Sequence, residues 1–373
     1  MPCKKIFFVI PDLISGGAQR TFVNILNQID KKKYECILVV YTKKGVLFKE
    51  LDKEIKVISL ECSKSLFSIF RLSTLIRKSN PHIVFSTLRY VNFVTILSCL
   101  ISLKKIKIII RETNNHTESK IKKNLKEFLI DYVYRFSDKI IALSEGVRLD
   151  ISKRTKIKIL NIEVIYNPIN LNSIMIKKNY KLPVKYENEF SDNSFIKLIN
   201  VGHLEEQKGQ DVLIKAVKLI NEYKFKLYII GEGSKRQYLE NLIKKLDLED
   251  KVVLLGFQDN PYNFMKKADI FILSSLWEGF GHVIVEAMAC NTPVISSDCK
   301  SGPNEIIDHD IDGILTKTGS HIDLNKKINQ LALDDNKRNK LIKNANYKMK
   351  KFEDKVIVKS YENLFNNISG NDT

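Results

Sequence analysis

Two glutamates eight positions apart, Glu278 and Glu286, bracket a Gly-Phe-Gly turn in SSLWEGFGHVIVEAMACNTPVISSDC, residues 274–299. Paired carboxylates can serve as a general acid and base, ligate a metal, or accept hydrogen bonds from ligand hydroxyls. DIFILSS before them reads as a strand and HVIVEAMA as a helix, which puts Glu278 in the loop and Glu286 on the helix. Glu286 is then about two turns along the helix. That spacing does not force both onto one small bond, where they would repel. A wide ligand touching both is the more economical reading, with the backbone N–H groups near Phe280 and Gly281 meeting phosphate at the helix N-terminus. The plainer alternatives are a glutamate that complements a helix dipole and one that sits on a helix surface.

Three other strand-to-helix turns could meet an anion. Gly16 and Gly17 open the first helix, with Gln19 and Arg20 as possible side-chain donors. The dinucleotide fingerprint G-x-G-x-x-G is absent there, which weakens a dehydrogenase reading. In GHLEEQKGQD (202–211), Lys208 stands beside Gly209, where a cation could meet a diphosphate. GEGS (231–234) repeats the geometry more weakly. EIIDHDIDG (305–313) sets Asp308, Asp310, Asp312 and Gly313 like half of an EF-hand loop, yet Gly319 stands where the bidentate Glu is required. A polar turn between helix and strand is the better reading, His116, His203 and His282 show no ligand spacing, and no metal is expected.

The elements that position these residues follow from periodicity. Near-continuous apolar runs at 4–10, 35–42, 56–60, 82–87, 107–113, 138–144 and 162–168 alternate with amphipathic stretches such as 18–29. Alternation stops between Lys178 and Ser194, a polar segment with a proline that suits a linker. It restarts with strands at 195–202, 224–231, 251–257, 269–275 and 293–297, separated by helices, and ends with a helix at 352–366. Strand–helix alternation of this kind predicts an α/β fold of two doubly wound, Rossmann-like parallel-sheet domains, with ligands beyond the strands' carboxyl ends in the cleft between them. A length of 373 residues also favours two domains.

Charge is unevenly placed. Residues 1–180 carry 33 Lys+Arg against 15 Asp+Glu, whereas residues 181–373 carry 28 of each, so the net +18 lies wholly in the first half. A polyanion or an anionic surface is the implied partner; a general lysine bias does not explain a neutral second half. The six cysteines show no C-x-x-C pair, which argues against a disulfide framework and a zinc site and fits a reducing cytoplasm. The five-residue apolar run near the N-terminus is cut off by Pro11 and Asp12 and reads as a strand, and Val91–Leu103 is too short to span a bilayer.

Taken in order, GGAQR, GHLEEQKGQDVLIKA, the E-x7-E stretch and SGPNEII resemble the retaining glycosyltransferases of family 4, which have the GT-B fold. The resemblance runs through nearly the whole chain and is most specific from Val201 to Gly313. It implies a domain at 1–180 that faces acceptor and membrane, a nucleotide-sugar donor domain at 195–350, and a helix at 351–373 that crosses back to the first. It also implies roles: Lys208 on the donor diphosphate, Glu278 on the transferred sugar, Glu286 on the ribose, and Phe280 and Gly281 giving backbone contacts. Gly16 and Gly17 would close over the diphosphate from the other domain. His203 stands where the family usually has Arg, and Asn304 turns the usual GPRE into GPNE. RETNNH (111–116) lies near the expected place of the sugar-site histidine, making Arg111, Glu112 and His116 candidates.

The expected activity is retaining transfer of a hexose or N-acetylhexosamine from a UDP-sugar to a polyprenyl-diphosphate-linked glycan, in bacterial O-antigen, capsule or exopolysaccharide synthesis. No cofactor or metal is expected, the nucleotide sugar being a co-substrate. The protein is expected in the cytoplasm, peripheral at the inner face of the cell membrane. There the apolar and basic residues of 65–78 and 119–136 suit an anionic interface, unless their apolar faces are core. The alternatives are an epimerase or phosphorylase of the same fold and, last, a nucleic-acid-binding protein, for which no recognised module is present.

Overall fold

In the computed structural model, strand KKIFFVI (β1, Lys4–Ile10) is buried from Ile6 to Ile10 without alternation. A strand covered on both faces needs that pattern, and parallel sheets flanked by helices supply the cover. The structure describes residues 3–14, 16–62, 67–117 and 125–370. Six further strands of one parallel sheet are β2 (Tyr34–Val40), β3 (Lys56–Ser59), β4 (Ile83–Thr87), β5 (Lys107–Glu112), β6 (Lys139–Ala142) and β7 (Ile162–Val164). A second parallel sheet comprises β8 (Ile196–Val201), β9 (Phe225–Ile230), β10 (Val252–Gly256), β11 (Ile270–Leu273), β12 (Val294–Ser297) and β13 (Ile314–Thr316). The orders are β3-β2-β1-β4-β5-β6-β7 and β10-β9-β8-β11-β12-β13, so each sheet reverses once, between β1 and β4 or between β8 and β11. Each is a doubly wound, Rossmann-like unit with a topological switch point.

The helices, in chain order, begin with α1 (Gly17–Gln28), α2 (Phe67–Ser79), α3 (Arg89–Ser102), α4 (Leu125–Val133) and α5 (Glu145–Thr155). Next come α6 (Leu171–Lys177), α7 (Val184–Ser191), α8 (Gln210–Lys218), α9 (Arg236–Lys245) and α10 (Tyr262–Lys267). The last are α11 (His282–Ala289), α12 (Pro303–Ile306), α13 (His321–Ala332), α14 (Asp335–Lys348) and α15 (Asp354–Gly370). The chain divides into two compact units, Met1–Ile169 with Phe352–Thr373, and Asn170–Lys351.

In the first unit, α15 buries Ile357, Val358, Tyr361, Leu364 and Phe365, an i, i+1, i+4, i+7, i+8 stripe. Phe365 meets Phe8 at 6.2 Å and Phe85 at 5.8 Å, and Phe22 of α1 meets Phe8 at 5.2 Å. Each buried ring contributes about 1.5–3 kcal/mol through lost water contact, and the pairs add about 0.5–1.5 kcal/mol. Polar bonds fix the register of the same helix: Tyr34 Oη lies 2.8 Å from Asn366 Oδ1, and the Asp30 amide donates to Glu362 Oε1 at 3.0 Å. The last helix therefore completes the first unit's core.

The second unit differs from the sequence reading at its start. Residues 170–180, assigned above to the first domain, pack with the second, and the middle of the expected linker 178–194 forms α7. The reason is aromatic burial: Phe190 is 2% exposed and lies 4.4 Å from Tyr228 and 5.4 Å from Phe264. Lys178, itself buried, donates to the Ala289 carbonyl at 2.8 Å and so caps the C-terminus of α11. Among the described residues, no helix is long and apolar enough to cross a membrane.

Candidate active site

The strongest constellation stands at the second sheet's switch point. Lys208 follows β8 and Glu278 follows β11, so sheet order alone brings together residues seventy positions apart. Lys208 ends a single 3-10 turn, Glu206–Lys208, and Gly209 then takes φ +57° to start α8. A Cβ at Gly209 would lie 2.4 Å from the Ser274 carbonyl oxygen, so only glycine lets the two loops approach. Ser274 Oγ donates to the Lys208 carbonyl at 2.9 Å and closes the same contact. Lys208 Nζ then reaches Glu278 Oε1 at 2.5 Å. Glu278 is 6% exposed and takes a second bond, 2.7 Å, from Ser275 Oγ.

Beyond Glu278 the chain enters α11 through Phe280, which is buried, and Gly281 at φ +92°. Gly302, also at φ +92°, packs beneath them; a Cβ there would come within 2.2 Å of the Phe280 carbonyl oxygen. Among the described residues, no side chain caps the N-terminus of α11, and its first turn holds no acidic residue, so no charge there offsets its amide dipole. Glu286 is half-buried one turn into α11, not two, because the helix starts only at His282 after the Gly281 turn, and it lies 3.4 Å from the hydroxyl of Tyr262. His203 is exposed, and its carbonyl accepts from Gln210 Nε2 at 3.0 Å. The structure thus brings Lys208, Glu278, Phe280 and Gly281 together, with Glu286 further along the same helix. Sequence reasoning missed Ser275 and Tyr262, because a hydroxyl that hydrogen-bonds a carboxylate has no fixed spacing from it.

Gly16 and Gly17 belong to the first unit. Gly16 has φ +138° and starts α1, which has no side-chain cap among the described residues and no acidic residue in its first turn. Arg20 is exposed on the same helix. Of the RETNNH candidates, Arg111 is fully buried and Glu112 is 1% exposed, so both lie behind the surface. As neighbours in β5 they point to opposite faces of the sheet. Glu112 Oε1 lies 3.2 Å from His116 Nε2, and Tyr134 Oη donates to its other oxygen at 2.7 Å. Arg154 stands 3.8 Å away and itself pairs with Asp150 at 2.8 Å and with Asp131. Arg89 joins Asp131 at 2.7 Å to Glu127 at 2.9 Å. Burial alone would raise the Glu112 carboxyl, but His116, Arg154 and Arg89 outweigh it and hold it at about 2. His116 is accordingly tied inward to a carboxylate in this structure.

The acidic run 308–312 is occupied by lysines. Lys348 Nζ lies 2.5 Å from Asp308 and 3.7 Å from Asp312, and Lys337 lies 2.8 Å from Asp310. Among the described residues, no group of three or more His, Cys, Asp or Glu is arranged to hold a metal ion.

Two doubly wound units, one with a lysine–glutamate pair at its switch point, are the architecture of GT-B glycosyltransferases. The chain belongs to glycosyltransferase family 4: residues 15–173 match the family model described as Glycosyltransferase Family 4, and 185–348 match that of glycosyl transferases group 1. It is 32% identical over 380 residues to an uncharacterized glycosyltransferase of Methanocaldococcus jannaschii, covering 93% of this chain and 91% of that protein. It is 30% identical over 368 residues to a Campylobacter jejuni protein, covering 95% and 96% of the two chains. That relative is named as N-acetylgalactosamine-N,N'-diacetylbacillosaminyl-diphospho-undecaprenol 4-alpha-N-acetylgalactosaminyltransferase. Among solved structures, a glycosyltransferase from Rickettsia africae superposes with a TM-score of 0.84 at 20% identity, covering 100% of both chains. Anabaena HepE in complex with UDP gives 0.82 at 18% identity, covering 98% of this chain and 100% of that one. At these identities the structural likeness bears on the fold.

Proposed function

We propose that this glycosyltransferase moves a hexose or N-acetylhexosamine, with retention of configuration, from a UDP-sugar to a lipid-diphosphate-linked glycan. The observation that carries the reading is the Lys208–Glu278 pair at the carboxyl ends of β8 and β11. A donor diphosphate competes with Glu278 for the Lys208 ammonium. Lys208 then stabilises the leaving charge, together with the N-terminal amides of α11, as preorganised electrostatics. Glu278, released from the lysine, accepts hydrogen bonds from the transferred sugar, while Glu286 takes the ribose hydroxyls. His203 and the Phe280–Gly281 backbone flank the diphosphate. In this reading the acceptor hydroxyl attacks from the face the diphosphate leaves, and its proton passes to the departing phosphate. No metal takes part.

The UDP complex of Anabaena HepE and the diphospho-undecaprenol acceptor in the Campylobacter relative's name support the donor and acceptor classes. A lipid acceptor requires contact with a membrane surface. On α2 and α4, both of which pack on α3, the apolar side chains are not all core: Phe67 is 73% exposed, Phe70 62%, Leu125 75% and Phe128 65%. Lys126 and Arg135 accompany them. Residues 65–66 and 119–124 of the two interfacial stretches lie outside the described residues. Such a face fits a peripheral position on an anionic cytoplasmic leaflet, at about 1 kcal/mol per basic residue near the surface.

The test is diphosphate release from a panel of UDP- and GDP-sugars with and without EDTA, then NMR of the product's anomeric centre. Release from one UDP-sugar that survives EDTA, with a retained anomer, is expected. Inversion, or an absolute need for a divalent ion, would overturn the mechanism. Consumption of donor with no acceptor and no release would establish an epimerase instead. Flotation with phosphatidylglycerol liposomes, lost in Phe70→Asp with Phe128→Asp, tests the membrane contact; binding indifferent to anionic lipid refutes it.

A further inference from the structure

Glu278 receives both of its hydrogen bonds on one oxygen. Lys208 Nζ lies 2.5 Å from Oε1, and Ser275 Oγ donates to the same atom at 2.7 Å. Oε2 receives none among the described residues and is not sealed from solvent. An ionised carboxylate offers about four acceptor sites over its two oxygens. A serine present only to satisfy a buried carboxylate would serve better on the empty oxygen. Doubling up on Oε1 holds that atom inward and leaves Oε2 open.

The serine is itself pinned. Ser275 is fully buried two residues past β11, and its carbonyl accepts from Ser297 Oγ at 2.6 Å and from Cys299 Sγ at 3.0 Å. Ser297 ends β12, the strand beside β11. Ser274, its neighbour, donates to the Lys208 carbonyl at 2.9 Å. The two serines after β11 thus divide their contacts: Ser274 sets the loop of Lys208, and Ser275 sets the carboxylate. The two donors on Oε1 also differ in kind. An anion draws the ammonium away, whereas the neutral hydroxyl stays where its backbone holds it.

We propose that Ser275 is a positioning residue for sugar recognition: it keeps Oε1 of Glu278 turned inward when the diphosphate takes Lys208, and so presents Oε2 as the acceptor for hydroxyls of the transferred sugar. The inference rests on the donor reading above and deepens it by naming the atom that meets the sugar. In this reading Ser275 makes no contact with the nucleotide, so its loss is felt through the sugar alone. Removing the last hydrogen bond on a charged oxygen frees the carboxylate to turn and weakens the hold on the sugar about tenfold.

UDP, UDP-glucose, UDP-galactose, UDP-N-acetylglucosamine and UDP-N-acetylgalactosamine titrated calorimetrically into the full chain test it, with thermal unfolding alongside. Ser275→Ala is expected to bind UDP within about twofold of wild type and the preferred UDP-sugar about tenfold more weakly. Ser275→Cys stays close in volume and offers only a weak donor, so it should follow the alanine variant and answers the question if that variant does not fold. Added to Glu278→Gln, Ser275→Ala should cost no further sugar affinity, because the acceptor it positions is already altered. Equal losses for UDP and UDP-sugar, wild-type sugar affinity in the two serine variants, or full additivity with Glu278→Gln overturns the proposal and leaves the donor reading standing. A wild-type chain that binds no UDP, or binds UDP and none of the UDP-sugars, removes both.

Discussion

Replacing Lys208 by methionine separates the fold's need for this cation from the ligand's. Lys208 Nζ lies 2.5 Å from Glu278 Oε1, with 18% and 6% of the two side chains exposed. Loss of the lysine leaves Glu278 with one neutral donor among the described residues, Ser275 Oγ at 2.7 Å. Orphaning a fully buried charge costs about 3–5 kcal/mol. The residual exposure of the pair and the serine bond bring the expected loss nearer to about 2 kcal/mol, or roughly 4–8 °C in unfolding temperature for a unit of this size. Glu278→Gln added to Lys208→Met removes the orphaned charge and should restore most of that loss. UDP affinity should fall in the single variant and stay low in the double, because the cation for the diphosphate is missing from both. Calorimetry with UDP and thermal unfolding of the three proteins read the two effects apart. Recovery of UDP binding in the double variant would refute the diphosphate role, and an unchanged unfolding temperature in the single variant would refute the buried-pair energetics.

The Glu112 carboxyl, held at about 2 against an ordinary 4.5, makes stability depend on acid pH. Its folded value is depressed, so the unfolded chain takes up the proton first, and the contribution is complete above about 4.5 and lost as pH falls toward about 2. The loss is on the order of 3 kcal/mol; Glu112→Gln should flatten that limb of the denaturation profile, and an identical slope would contradict the assignment. Gly302→Ala meets both the φ of +92° and the Phe280 carbonyl at 2.2 Å. It should destabilise by more than about 1 kcal/mol and weaken UDP binding by displacing the Phe280–Gly281 backbone, and a variant neutral by calorimetry and thermal unfolding would show that the turn relaxes freely. Phe190→Ala should cost about 3–5 kcal/mol by chemical denaturation if α7 is a packed part of the second unit, whereas a loss under about 1 kcal/mol would return 184–191 to the status of a linker.

Much of this was legible in the chain before any coordinates. Unbroken Val/Ile/Leu runs separated by amphipathic helices have few solutions other than parallel sheets covered on both faces, and both sheets have that form. The segment 178–194 was misread because its order comes from Phe190 and Tyr186 packing on Tyr228 and Phe264. Two aromatics in a polar stretch carry no period. Within the site, the strand-end position of Lys208 was readable from local pattern, but its pairing with Glu278 was not. That contact depends on β8 and β11 being neighbours, which is a property of sheet order. The exposed faces of α2 and α4 were equally ambiguous, since a core stripe and an interfacial stripe share the 3.6-residue period.

Lys208 shows how a fold can hold a cation at a sheet's switch point without burying an unpaired charge. Its ammonium meets Glu278, and Ser275 gives that carboxylate its second bond, so neither charge stands alone. A lysine without the glutamate would carry a standing desolvation cost, and a glutamate without the lysine would repel a phosphate. In the reading proposed above, a diphosphate takes the ammonium and the carboxylate turns to hydroxyls, so both members of the pair exchange one partner for another and neither is orphaned.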